Sequence, residues 1–423
     1  MRCLRLLVWP ALVALVLAAC ATRTTVSPAL RSSSGFLPRV VQSGGGESWE
    51  KFDLPGYDPA PRGIASGPYG NLWFAEERTN EIARISLAGI VTSYPIPTAN
   101  SGTQWLAEGS DTIWFTEENS LSPKIGSITP AGVITEYPYG GGTDVPWDIV
   151  QGSDKNMWFT TLGNDVGRIT PSGSINAYSV PTQGTPGLAT LGPDGAVWFT
   201  EGCTCGDKIV KVTPSGTFSV YAIPTANAQP QDITSGSNGD LYFTEGNANK
   251  IGQITPGGVI TEYQNPQYAY PIWIAQGPNN QVWFSVTGGF IGRFNEKTHT
   301  FLTELFPPNS GAADLVRGPD GNMWFTDGGG ASTDWIGVWV YHVLTVSPTS
   351  VTVSPGSNQM LSVAETHFLN PSYVASSSKT RIATVRAGNS VGQFVVTGVA
   401  TGSCDVTVRD PRGNSVIVPV SVQ

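Results

Sequence analysis

Residues 231–263, QDITSGSNGDLYFTEGNANKIGQITPGGVITEY, hold the pattern that decides the fold. Gln231–Ser235, Leu241–Glu245, Lys250–Thr255 and Val259–Tyr263 are short, rich in β-branched and aromatic residues, and bounded by Gly, Asn and Pro, so four strands are predicted. Gly236-Ser237-Asn238-Gly239 and Pro256-Gly257-Gly258 have the backbone freedom that tight reversals need. The aromatic pair of this unit, Tyr242-Phe243, recurs as Trp73-Phe74, Trp114-Phe115, Trp158-Phe159, Trp198-Phe199, Trp283-Phe284 and Trp324-Phe325. Spacings of 40 to 44 residues, with four strands per repeat, indicate a β-propeller of seven blades.

The seventh repeat has strands near Ala313–Arg317, Met323–Asp327 and Trp335–Tyr341, and no outer strand follows them. The missing piece is Trp49–Pro55, ahead of the first repeat. Joining it to the last blade closes the ring and removes two exposed edges. The predicted fold class is therefore all-β: a seven-bladed propeller over 47–343, closed by an N-terminal strand, then a small β-sandwich over 344–423. Composition agrees. With 13% charged residues, 50 Gly and 32 Pro in 423 residues, a helical bundle is excluded. Only three His are present, which argues against His-rich metal chemistry.

Charge is unevenly spread. Residues 1–46 carry five Arg and no acid, residues 47–343 carry −16, and residues 344–423 carry +2. A body at −16 repels phosphate backbones and anionic lipid, so no nucleic-acid partner is expected. Cations suit it better.

Gly-Pro-Asp-Gly at 192–195, Trp-Phe-Thr-Glu at 198–201, Ile-Gly-Gln-Ile-Thr-Pro at 251–256 and Ile-Thr-Glu-Tyr at 260–263 resemble the virginiamycin B lyase (streptogramin lyase) family of seven-bladed propellers. The resemblance covers about residues 47–343. It implies elimination at an ester of a cyclic streptogramin, with a magnesium ion and a histidine general base. The family's catalytic blade opens its inner strand with Glu-Pro-His and carries a Glu fourteen residues after the His. The positions matching that His are Arg62, Gln104, Trp147, Gly187, Gln231, Ile272 and Ala313. Those matching the first Glu are Ala60, Gly102, Val145, Thr185, Gln229, Tyr270 and Gly311. The later acid survives as Glu76, Glu117, Glu201, Glu245 and Asp327. A general base must reach the abstracted proton, and His299, His342 and His367 are predicted far from the channel mouth.

The channel-mouth candidates are accordingly Arg62, Glu76, Glu117, Trp147, Glu201, Gln231, Glu245, Tyr270 and Asp327. Propeller geometry is expected to collect the five acids around one rim, with Asp148, Asp232 and Asp314 nearby. Converging carboxylates suit Mg²⁺ or Ca²⁺, with Glu201 and Glu245 as candidate ligands. The competing reading makes each acid an acceptor for loop amides. Cys203 and Cys205 sit beside Glu201 and are candidates for a tight local disulfide, although so small a ring is strained. Cys404 reads as a buried, inert thiol.

Arg2 and Arg5 precede an apolar run, Leu6–Leu17, too short to span a bilayer comfortably. The run ends in Leu17-Ala18-Ala19-Cys20, which resembles the bacterial lipobox. That resemblance implies a signal peptide over 1–19, lipidation of Cys20, and export to the cell envelope with membrane attachment by the lipid alone. Cleavage after Ala21 would instead leave a secreted protein. Residues 20–46 read as a flexible tether. Residues 344–423 alternate at period two, as in Ile382-Ala-Thr-Val and Val396–Val408, and resemble the bacterial Ig-like (group 2) domain. The expected function is that of an anchored, monomeric propeller protein binding a small molecule or cell-surface partner at its mouth, without the lyase chemistry. The alternative is a divergent Mg-dependent streptogramin B lyase.

Overall fold

The computed structural model describes residues 31–32, 39–42, 48–54, 59–140, 144–202, 207–266, 270–287, 290–304, 312–328, 334–340, 344–365, 373–390, 392–409 and 415–423. Cys20, Cys203, Cys205, His342, His367 and the stretch read from sequence as a signal peptide lie outside them. The chain divides into two compact units, residues 39–50 grouping with 338–423 and residues 51–337 forming the body of the other.

Seven antiparallel sheets make up the propeller. Blade 5 runs Pro230–Ser235, Leu241–Glu245, Lys250–Ile254, Ile260–Gln264, within one residue of the strands expected from sequence. Its siblings begin at Pro61 (blade 1), Leu106 (blade 2), Pro146 (blade 3), Pro186 (blade 4) and Pro271 (blade 6). In blade 7, Ala312–Arg317, Met323–Asp327 and Trp335–Val340 are completed by Ser48–Asp53 from the N-terminus. First strands pack against first strands around the ring, and that of blade 7 packs against that of blade 1. The ring is closed.

One aromatic device repeats at five of the interfaces, the closing one included. The Trp of the second strand stacks on a Tyr of the fourth: Trp73 on Tyr94, Trp114 on Tyr137, Trp158 on Tyr178 and Trp198 on Tyr221, at 5.4–5.9 Å. The turn glycine of the next blade covers that Tyr, as Gly132, Gly173, Gly216 and Gly258 do. A Cβ there would sit 2.0–2.5 Å from the ring, and each of these glycines has positive φ, so only Gly fits. In blade 7 the N-terminal strand places Phe52 against Trp324 at 5.5 Å, and Gly89 of blade 1 covers it. Phe52 thus occupies the tyrosine position of blades 1–4.

Two short strands were not expected. Arg31–Ser32 pairs with the outer edge of blade 1, and Arg39–Gln42 joins the closing strand, within the stretch read from sequence as a flexible tether. Both satisfy edge amides that the ring leaves open.

The second unit contains two four-stranded sheets that share a core of Leu361, Val396, Val406, Val408 and Val418. Cys404 is buried in that core with a free thiol, as the sequence suggested.

Candidate functional site

Each first strand enters the ring at the mouth and each second strand ends there. Six of the seven first strands carry an irregularity just after entry, as between Pro61 and Ile64 or Pro230 and Ile233. A bulge re-aims side chains, and these bulges hold Arg62, Trp147, Gln231 and Ile272. Ala60, Gln229 and Tyr270, two residues earlier, adopt φ of 49°, 53° and 61°. Non-glycine residues in this region store backbone strain, and here it marks the mouth.

The sector over blades 1–3 has the most distinctive chemistry. Arg62 Nε donates to Glu77 Oε2 at 2.6 Å, both side chains partly exposed. In the next blade Gln104 Nε2 donates to Glu118 Oε2 at 3.3 Å. Trp105 meets Trp147 edge-on at 6.1 Å. Leu121, on the loop after Glu118, is almost fully exposed. Across the ring, Gln231 Nε2 donates to the Gln229 carbonyl at 3.2 Å, and the Tyr270 ring lies against Gly246. Burial holds the Tyr270 phenol above its ordinary pKa. Glu77, Glu118 and Trp105 were not among the sequence candidates. Their signal was the acidic doublets Glu76-Glu77 and Glu117-Glu118: the first acid of each is buried and the second faces the mouth.

The five acids read as an open rim are instead buried. Glu76, Glu117, Glu201, Glu245 and Asp327 are at most 3% exposed. Period-two alternation puts Glu117 on the face of Phe115, which packs over Gly126 of the third strand, and not on a face open to solvent. Lysines stand directly opposite three of them: Lys124, Lys208 and Lys250 face Glu117, Glu201 and Glu245. Lys124 pairs with Glu136 at 2.6 Å and Lys250 with Glu262 at 3.3 Å, and Glu136 and Glu262 also accept the Thr98 and Thr225 amides. Neither oxygen of Glu117, Glu201 or Glu245 has a hydrogen-bond partner. Burial, then repulsion from Glu136, raises the Glu117 pKa to about 7. Burial, then Glu262, raises Glu245 to about 8. In blade 1 the opposing residue is Glu81, and burial, then that charge, raises Glu76 to about 8.

The geometry around Glu201 and Glu245 lends the metal reading no support. Glu201 is wedged under Gly184, where a Cβ would lie 1.7 Å from its Oε1, and Glu245 is enclosed by Glu262, Lys250 and Asp207. No group of three or more His, Cys, Asp or Glu side chains among the described residues is arranged to hold a metal. Among the described residues, the donors present do not fit a magnesium ion.

The acceptor role belongs to the aspartates. Asp148, Asp232 and Asp314 each bridge to the next blade, accepting the amides of Ala189, Ile274 and Ile64 at 2.7–2.9 Å. Burial raises Asp148 and Asp314 to about 7 and pushes Asp232 well above the usual range, with their mutual repulsion adding to it in Asp232 and Asp314. His299 lies on a third-to-fourth-strand turn, at the opposite ends of the strands from the mouth, against Tyr263 and Phe294.

Comparison with known proteins agrees with this architecture. Residues 47–331 match the virginiamycin B lyase family and residues 342–418 the bacterial Ig-like domain (group 2). A streptogramin B lyase structure is 34% identical, covering 69% of this chain and 97% of that one, with a TM-score of 0.64. Virginiamycin B lyase from Staphylococcus aureus is 32% identical over 70% of this chain and 99% of that one, with a TM-score of 0.65. A catalytically inactive His-to-Ala variant of that enzyme, solved with quinupristin, is 33% identical over 70% of this chain and 99% of that one, at a TM-score of 0.64. The Nocardia farcinica virginiamycin B lyase is 29% identical over 240 residues, 55% of this chain and 80% of its own. By repeat, ring closure and these matches, the chain belongs to the virginiamycin B lyase family, with a group 2 bacterial Ig-like domain after the propeller.

Proposed function

We propose that this lyase-like propeller binds its ligand at the mouth, over Arg62, Glu77, Gln104, Glu118, Trp105 and Trp147, without the family's histidine-dependent elimination. One observation carries the reading: none of the seven positions matching the family's general base is histidine. Arg62 and Gln104, the residues at two of those positions, are instead held by carboxylates of their own blades. A guanidinium held by a carboxylate and a side-chain amide have no basic site with which to abstract a proton at neutral pH. They bind and orient. The aromatic edge pair and partly exposed acids suit a ligand with an aromatic or apolar ring and a donor group.

The second reading, a divergent streptogramin B lyase, is favoured by the match to the relative solved with quinupristin. One experiment separates them. The full chain is incubated with quinupristin, with and without Mg²⁺. Ring-opening elimination is isomeric, so the product is read by chromatographic retention and not by mass. The expected result is quenching of tryptophan fluorescence with no linear product; a linear product refutes the binding-only reading. Absence of both rejects quinupristin as a probe for this mouth.

Export and anchoring form the other half of the proposal, resting on Arg2, Arg5, the apolar run and Cys20. Cys20→Ser should abolish detergent-phase partitioning of the processed protein. Processing that survives the substitution, with the processed protein of the unmodified chain already in the aqueous phase, points to secretion without a lipid.

A further inference from the structure

The turns between first and second strands lie at the end of the ring opposite the mouth, and several repeat one arrangement. In blades 3, 4 and 7 an aspartate four residues before the second-strand Trp accepts its indole N–H: Asp154 from Trp158, Asp194 from Trp198 and Asp320 from Trp324, at 2.9–3.2 Å. In blades 3 and 4 the other oxygen of that carboxylate faces a cation of the third strand, Arg168 at 3.6 Å and Lys211 at 3.1 Å. The cation lies over the Trp and Tyr rings of its blade and donates to a proline carbonyl of the next, Pro214 or Pro256.

Blade 1 keeps the Trp, the Tyr, the cation and the proline carbonyl, and lacks the carboxylate. Arg84 lies over Trp73 at 5.5 Å and over Tyr94 at 5.9 Å, and its Nη1 donates to the Pro130 carbonyl of blade 2 at 3.0 Å. The residue four before Trp73 is Tyr69, 86% exposed, with φ of 61°. Gly70 also has positive φ, whereas in blades 3, 4 and 7 only the residue after the aspartate does. Trp73 is fully buried, yet among the described residues its Nε1 has no hydrogen-bond partner and Arg84 meets no carboxylate. A buried donor without an acceptor is costly, and here it stands beside a cation without a counter-ion. At Gly152, Gly192 and Gly318 the aspartate Oδ1 lies 2.7–2.8 Å from where a Cβ would stand. At Gly67 the Ile113 Cδ1 of blade 2 lies at 2.9 Å, an apolar wall, and the Cβ position of Gly70 has no atom within 4 Å.

We propose that blade 1 binds a small organic carboxylate at this turn, in the place that blades 3 and 4 fill with Asp154 and Asp194. One oxygen accepts the Trp73 indole N–H, the other pairs with Arg84, and Ile113 borders the apolar body of the ligand. The class follows from the donors. An indole N–H and a guanidinium set for the two coplanar oxygens of an aspartate match a carboxylate, and a spherical halide offers no second acceptor. A single negative charge also meets less repulsion from a body at −16 than a phosphate would. The site is at the opposite ends of the strands from the mouth, so it does not depend on the ligand proposed there.

The test uses the intact chain with nitrogen-15-labelled tryptophan and propionate as the probe, at constant ionic strength. The Trp73 indole N–H resonance, assigned through Trp73→Phe, is expected to shift saturably with propionate and not with chloride. Tyr69→Asp supplies the carboxylate from the chain itself, so it should abolish the propionate shift and raise the melting temperature. Tyr69→Gly relieves the same backbone strain without adding a carboxylate, and should keep the shift. Arg84→Met leaves the stem over the rings and should weaken propionate at least about tenfold. Absence of a saturable shift overturns the proposal, as does an equal shift with chloride. So does a propionate shift that survives Tyr69→Asp or Arg84→Met undiminished, or one lost equally in Tyr69→Gly.

Discussion

Replacing Phe52 by Ala removes the ring that completes blade 7. Phe52 is 3% exposed, stacked on Trp324 with planes 8° apart and covered on its other side by Gly89. Truncating a buried Phe costs about 3–5 kcal/mol from lost transfer and the cavity left behind. The upper end applies, because the aromatic stack adds ~1 kcal/mol and a glycine has no side chain to collapse into the space. All 13 Trp precede residue 344, so tryptophan fluorescence during urea unfolding reports the propeller and not the Ig-like domain. The midpoint should fall with little change in slope. Tyr94→Ala, which empties the corresponding site of blade 1, is the internal reference and should cost a similar amount. Deleting residues 47–56 should be worse than either. If Phe52→Ala loses less than about 1 kcal/mol while Tyr94→Ala loses several, closure by the N-terminal strand is wrong.

Stability should fall from pH 5 to pH 9. Glu76, Glu117 and Glu245 have pKa values of about 8, 7 and 8 in the fold against 4.5 unfolded, so the folded state holds their protons more tightly. That contribution is complete below about pH 4.5 and lost as the pH rises through 7–8. Glu117→Gln should reduce the drop by on the order of 1–3 kcal/mol, measured by urea unfolding at several pH values; an unchanged profile counts against a protonated buried glutamate. Glu81→Lys gives blade 1 the Glu–Lys pair of blades 2, 4 and 5, and should stabilise by about 0.5–1 kcal/mol at pH 8 while lowering the Glu76 pKa. No gain at pH 8 would mean that Glu76 does not feel Glu81. Gly126→Ala puts a Cβ 2.1 Å from the Phe115 ring and should cost about 1–3 kcal/mol; a neutral result would show that blade 2 packs less tightly than described.

The sequence by itself determined the blades, their number and their closure. The reason is physical: a strand's turn residues and aromatic period are local, and a repeat of 40 to 44 residues shows them seven times over. Even the outsider Trp49–Pro55 was legible, because the seventh unit visibly lacked a strand. The chemistry at the mouth was legible only as residue types. Glu76 and Glu77 are neighbours in sequence, yet one is buried opposite Glu81 and the other pairs with Arg62 at 2.6 Å. Which of the two faces solvent depends on strand alternation continuing to the last residue and then stopping. The acids expected to ring the channel failed for the same cause, since one residue of register separates an open rim from a buried face. The aspartates that bridge blades, Asp148 to Ala189 and Asp232 to Ile274, join residues 41 and 42 positions apart. Such contacts form only when the ring closes, because each is made between two blades and neither blade alone specifies it.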